Sequence, residues 1–100
     1  MPVQYVKQFN ADQGELSLNL SGESHWRRFG SSKISAIQSK KDKKKILFFD
    51  KPVERIEILI SGEHTPYIIE KGMIKDDFQW IKDVLKRFAE KNKVKFIEQQ

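Results

Sequence analysis

Eight basic residues and one acid fall between Ser24 and Lys45: Arg27, Arg28, Lys33, Lys40, Lys41, Lys43, Lys44 and Lys45 against Asp42. That is +7 over twenty-two residues in a chain whose net charge is +5, so the remainder sums to −2 and the positive charge is local. Cations grouped in this way attract phosphates over roughly a Debye length, about 8 Å at physiological salt. The segment 24–45 therefore predicts a polyanionic partner, with nucleic acid as the first choice and an anionic lipid surface or an acidic protein as the alternative.

Within the segment, His25-Trp26-Arg27-Arg28-Phe29 adds flat rings to paired guanidinium groups. Trp26 and Phe29 offer faces on which bases can stack, and arginine forks onto phosphates or stacks on bases itself. In an extended strand Trp26 and Arg28 share one face, while His25, Arg27 and Phe29 share the other. Lys40-Lys41-Asp42-Lys43-Lys44 contains nothing apolar and reads as a solvated hairpin loop suited to non-specific phosphate contacts. The predicted binding residues are Trp26, Arg27, Arg28, Phe29, Lys33, Lys40, Lys41, Lys43, Lys44 and Lys45.

Other chemistry finds little support. There is no cysteine, which excludes disulfides, thiolate metal sites and cysteine catalysis. His25 and His64 are the only histidines, each just after a Ser-Gly-Glu turn, and they make a weak metal signal. Glu63 with His64, or Glu57 with Glu63, would be an acid–base pair of ordinary turn residues. No glycine-rich phosphate loop, metalloprotease motif or serine triad occurs. The expectation is a non-enzymatic binding module with no cofactor and no metal.

The rest of the chain supplies the elements that position these residues. One hundred residues with 38% hydrophobic content fit a single domain, residues 1–100, able to bury one core. No apolar run approaches the ~20 residues of a membrane span, and Met1–Lys7 lacks the apolar stretch of a secretory leader. A soluble, cytoplasmic protein is expected.

Residues 3–9 alternate loosely, Asn10–Gly14 supplies a turn, and Glu15–Ser21 alternates strictly with Leu16, Leu18 and Leu20 inward, so the two runs read as a hairpin. A short strand is predicted over 33–38 and a buried one over Ile46–Phe49, ended by Asp50-Lys51-Pro52. Further strands are predicted over 54–60 and 66–70. Leu59 and Ile68 point away from their strands' main apolar sets, towards a second sheet face under the helix or a homodimer contact. Ile74, Phe78, Ile81, Leu85 and Phe88 then follow helical spacing. The helix is predicted over 76–91, with Asp76 as N-cap, Gln79 completing a capping box and Trp80 sealing its edge against the sheet. Residues 94–97 read as a last strand or a docked tail. The whole predicts an α+β fold: a curved antiparallel sheet or partly open barrel of five to seven strands with one C-terminal amphipathic helix.

At an offset of forty, Leu18-Asn19-Leu20-Ser21-Gly22-Glu23 lines up with Ile58-Leu59-Ile60-Ser61-Gly62-Glu63, and upstream Val6 and Phe9 line up with Ile46 and Phe49. Duplication of a hairpin explains this echo, and so does shared turn chemistry.

Lys33-Ile34-Ser35-Ala36-Ile37 is similar to a short strand of bacterial pleckstrin-homology-like domains, and Val53–Ile58 to the strand that follows it in them. Trp80 stands near a position where that family often has Trp. Over residues 33–88 the chain resembles that family. The resemblance implies a partly open barrel with ligands at basic loops, either acidic lipid headgroups or peptides. The first hairpin departs from the family by lacking a Lys-x-Arg phosphoinositide pair. Single-stranded nucleic-acid binders that place curved strands before a C-terminal helix, and dimerise through it, use the same elements, but none of their motifs occurs here.

Overall fold

A computed structural model describes residues 4–98, with the side chains of 42–46 and 49–51 outside the described set. The chain runs β1 (Gln4–Ala11), β2 (Glu15–Leu20), β3 (Trp26–Gly30), a single 3-10 turn (Ser31–Lys33), β4 (Ile34–Ile46), β5 (Phe49–Ile60), β6 (Tyr67–Glu70), α1 (Phe78–Asn92) and β7 (Lys95–Glu98). All seven strands join one sheet in the order β3-β2-β1-β6-β5-β4-β7. The sheet is mixed, because β1 pairs in parallel with β6 and β4 with β7, and it does not close into a barrel. Antiparallel pairing thus holds only within each hairpin. Residues 94–97, expected as a strand or a tail, supply most of β7.

One face carries the core. Leu16, Leu18 and Leu20 of β2, Ile56, Ile58 and Ile60 of β5, and Tyr67 and Ile69 of β6 are buried against Phe78, Ile81, Leu85 and Phe88 of α1. The strict alternation of β2 and β5 commits every second side chain to this face, and the helical stripe covers it. Leu59 and Ile68 lie outside this cluster, on the face away from the helix, where Ile68 is nonetheless buried. Trp80 stays half-exposed, its ring 6.0 Å from that of Phe9.

The helix starts one residue later than the spacing predicts. Asp77, not Asp76, is the N-cap, and its carboxylate accepts from the Trp80 backbone N–H at 3.0 Å. Asp77 lies directly before the first helical residue, so its side chain reaches the orphan N–H three residues on. At the other end the Asn92 side-chain amide donates to the Phe88 carbonyl, and Lys93 adopts the left-handed conformation that stops the helix.

The echo at offset forty is structural from Leu16 onward, whereas Val6 and Phe9 correspond in register to Ile34 and Ile37 and not to Ile46 and Phe49. Leu18 pairs with Arg27 and Leu16 with Phe29, as Ile58 pairs with Tyr67 and Ile56 with Ile69, so β2–β3 and β5–β6 share one register at that offset. Both Ser-Gly-Glu turns close identically: Glu23 N–H donates to the Leu20 carbonyl and Glu63 N–H to the Ile60 carbonyl, each at 3.1 Å, with Gly22 and Gly62 at φ 83° and 86°. Even the irregularity repeats. The register shifts between Val6 and Gln8 opposite Leu20 and Asn19, and between Ile34 and Ala36 opposite Ile60 and Leu59. The sheet is two three-stranded meanders, joined in parallel through β1 and β6.

The meanders differ at one place. Four residues, 12–15, connect the Ala11↔Leu16 pair in the first, whereas sixteen, 40–55, connect the Ser39↔Ile56 pair in the second. The extra length is a two-stranded ribbon. Pairing runs unbroken from Ala36↔Leu59 to Ile46↔Phe49, although β6 accompanies β5 only at 55–58 and β7 accompanies β4 only at 36–39. Three expectations fall here. Lys40–Lys44 is strand rather than loop, because its backbone pairs residue by residue with 51–55 of β5. The run Ile46–Phe49 is not a buried strand: one-to-one pairing leaves Leu47 and Phe48 as the two-residue turn, 82% and 96% exposed. Asp50-Lys51-Pro52 does not end a strand but continues β5, where Pro52, which has no N–H to donate, lies beyond the positions at which β6 pairs with that strand.

Replacing Lys40, Lys41, Lys43 and Lys44 together by Ser should leave the fold intact and lower its unfolding free energy by no more than about 1 kcal/mol. Leu85→Ala should cost about 2–5 kcal/mol through the cavity it leaves, and Asp77→Ala about 1 kcal/mol through the lost cap. Urea unfolding followed by tryptophan fluorescence checks all three.

Candidate nucleic-acid interface

The structure separates the two halves of the basic segment. Trp26, Arg27, Arg28 and Phe29 lie on β3, the edge strand, while the lysines lie on β4, with four strands between them in the sheet.

Alternation along β3 sets what each residue can do. Phe29 faces inward and is buried, its ring 5.3 Å from that of Tyr67, which takes it out of reach of a base. Arg27 also turns inward, at the end of the core where the Ser-Gly-Glu turns meet. Its Nη2 donates to Glu23 Oε2 at 2.9 Å and its Nε to Glu23 Oε1 at 3.3 Å. Nη1 donates to the Tyr67 hydroxyl at 3.0 Å and to Gln4 Oε1 at 3.2 Å. The Tyr67 hydroxyl in turn donates to Glu63 Oε1 at 2.7 Å. Glu23 and Glu63, like Arg27 and Tyr67, are equivalent positions of the two meanders. Their side chains form one polar cluster across the seam.

This cluster engages every nitrogen of the Arg27 guanidinium, whose side chain stays 39% exposed. The hydrogen bonds to Glu23, then to Tyr67, raise the Arg27 pKa above its ordinary value. Burial, then the hydrogen bond to Glu63, raises that of Tyr67, and Arg27 only partly opposes this.

Trp26 and Arg28 face outward. Arg28 is 74% exposed and 4.0 Å from Glu15, and Trp26 is 44% exposed. With Asn10 and Ser17 they line a shallow groove of about 320 Å³ on the outer face of β1-β2-β3. Asn19, paired with Trp26 across the strands, is buried, and its Oδ1 has no hydrogen-bond partner. Lys33 is exposed on the 3-10 turn.

On the ribbon, Lys40 pairs with Glu57 at 3.1 Å beside a second pair, Arg55–Glu70, also at 3.1 Å. These pairs brace the ribbon's base. Lys41 is exposed, and the side chains of Lys43, Lys44 and Lys45 lie outside the described residues. Residues 40–55 carry seven basic and three acidic side chains, net +4, whereas their counterpart Asp12-Gln13-Gly14-Glu15 carries −2. The turn residues Leu47 and Phe48 were missed as surface groups, because a four-residue apolar run in a sequence looks the same whether or not a core stands opposite it. Leu47 adopts φ 55°, a left-handed conformation that costs a leucine about 1–2 kcal/mol.

Among the described residues no group of three or more His, Cys, Asp or Glu could hold a metal ion, and no helix is long and apolar enough to cross a membrane. Compared with family models, curated proteins and solved structures, the chain matches none.

The raised Tyr67 pKa makes alkaline stability dependent on this cluster. A phenol kept protonated by the fold contributes fully below the unfolded value of about 10, and the contribution is lost as pH rises through the folded value. The difference in tyrosinate absorbance between wild type and Tyr67→Phe should show a midpoint above about 10. Over that interval the wild type should lose stability more steeply than the variant. A midpoint at or below 10 would mean that the cluster does not favour the neutral phenol.

Proposed function

We propose that this chain is a non-enzymatic nucleic-acid-binding module whose contact element is the lysine-bearing ribbon of β4 and β5. The observation that carries the reading is the comparison of the two meanders. They share register, bulge and turn, and differ by twelve extra residues that hold Lys40, Lys41, Lys43, Lys44 and Lys45.

The shape of this element supports the same reading. A two-stranded ribbon fits the ~12 Å major groove of B-form DNA. The ribbon strand carries five lysines within residues 40–45, charge enough to serve a groove with phosphate on both walls. Lysines on a ribbon give charge without a fixed hydrogen-bond fork, which suits backbone contact that ignores sequence. In this reading Arg28, Lys33 and Trp26 lie apart from the ribbon as secondary contacts, and Arg27 and Phe29 serve the fold.

A bilayer is the second reading. The exposed pair Leu47 and Phe48 beside lysines favours it, and the pleckstrin-homology-like resemblance implied acidic lipid as one ligand.

Neutralising about five phosphates should make log affinity for duplex DNA fall with log salt at a slope near −4.5, or near −3.5 for a single strand. Changing Lys40, Lys41, Lys43 and Lys44 to Ser should flatten that slope by about 3. Fluorescence anisotropy across a salt series measures both. A slope near zero, or no binding at low salt, would sink the proposal.

A further inference from the structure

We infer that Leu47 and Phe48 form an apolar wedge that enters the base stack of duplex DNA at a flexible step while the ribbon's lysines hold the flanking phosphates. The inference rests on the nucleic-acid reading above and deepens it by naming the duplex and the mode of contact.

Exposure is the first observation. The two side chains at the ribbon tip are 82% and 96% exposed, more than any other large hydrophobic residue described. Single exposed apolar residues are ordinary, but two adjacent ones at the far end of a projecting element present a compact hydrophobic point.

Backbone geometry is the second. A two-residue hairpin turn whose first central residue alone has positive φ favours glycine there. This turn instead places Leu47 at φ 55° and a phenylalanine beside it. Both residues work against local stability and neither packs on the core. A strained conformation retained at an exposed tip points to a function for the side chains it presents.

Charge complementarity names the partner. Lys45 lies two residues before Leu47, and Lys44 is in register with Lys51 on the opposite strand. Lysine positions continue back to 41, so they extend along roughly 14 Å of strand at ~3.3 Å per residue. A bilayer entered by the tip would engage only the cations nearest the interface, since interfacial burial reaches roughly 5–10 Å. A groove has phosphate walls along the ribbon's whole length. Phe and Leu are residues that minor-groove proteins insert between base steps, partly unstacking them and kinking the duplex, and a ribbon tip offers the same kind of wedge from the major groove. Pyrimidine–purine steps such as TA open most easily.

The test uses the full chain and a twenty-base-pair DNA duplex carrying 2-aminopurine at a central TA step, whose fluorescence rises on unstacking. The variant is Leu47→Gly with Phe48→Asn, which puts glycine at the positive-φ position and so keeps the hairpin while removing the wedge. Wild type should bind and raise the fluorescence. The variant should bind within about tenfold of wild type, because unstacking offsets much of what apolar insertion contributes, with the same salt slope and no fluorescence rise. Binding by wild type without any fluorescence change would overturn the wedge and leave the nucleic-acid reading standing. Absence of binding at low salt would overturn both. Binding to phosphatidylserine-containing vesicles that needs Leu47 and Phe48, with no fluorescence change on DNA, would overturn the wedge in favour of a bilayer.

Discussion

The fold depends on a narrow seam. The two meanders meet through the parallel pairing of β1 with β6, which comprises only Gln4↔Tyr67 and Tyr5↔Ile68. So short a ladder cannot by itself fix one half against the other. The burial of Leu18, Ile58, Tyr67 and Phe29 beneath Ile81 and Leu85 supplies the continuous apolar contact across it. At the open end of that contact stands the polar cluster. There Arg27, from the first meander, reaches Tyr67 of the second, and each bonds the glutamate of its own turn. A guanidinium with partners for each of its nitrogens can sit at a core's edge at modest cost, whereas the same group unpaired there would be expensive. The seam therefore explains why one of the two adjacent arginines belongs to the fold and the other to the surface.

Repetition also explains the freedom of the ribbon. In the first meander the β1–β2 connection ends where the helix and the sheet end, with Gly14 close to Asn92. In the second, the strands continue past the last positions at which β6 and β7 can pair with them. A two-stranded ribbon alone is marginal in water, so its register must be inherited from the sheet at its base. The Lys40–Glu57 and Arg55–Glu70 pairs sit at that base, next to the last three-stranded positions. Beyond them nothing requires an apolar face, and composition is free to serve a ligand.

Much of this architecture was legible from residue order. The strict alternation of Leu16, Leu18 and Leu20 and of Ile56, Ile58 and Ile60 marked two strands and their buried faces, and the stripe from Ile74 to Phe88 marked the helix. The shared face of Trp26 and Arg28 followed from alternation as well. Pairing was not legible, since period-2 patterns show which face of a strand is buried but not which neighbour it takes or in which direction. The parallel seam, the open sheet and the convergence of Glu23 with Glu63 all lie beyond such patterns. So does the inward turn of Arg27, whose partners are four and forty residues away and on Gln4.

The largest misreading has a physical cause that bears on function. Hydrophobic periodicity reports packing, and beyond Ser39 and Arg55 the backbone pairing is that of β4 with β5 alone. A lysine run there reads as a loop, an apolar tetrapeptide as a core strand and a proline as a break. Each inference fails for the same reason, because the segment lies in a two-stranded extension beyond the three-stranded part of the sheet. Elsewhere local propensity, pattern and tertiary structure agree, as they must for a sequence to specify one fold. Where they disagree over twelve consecutive residues, with cations along the strands and Leu47 and Phe48 at a strained tip, stability of the isolated chain is a poor explanation for the composition. A ligand that meets the whole ribbon, and not merely its end, accounts for both the charge and the tip.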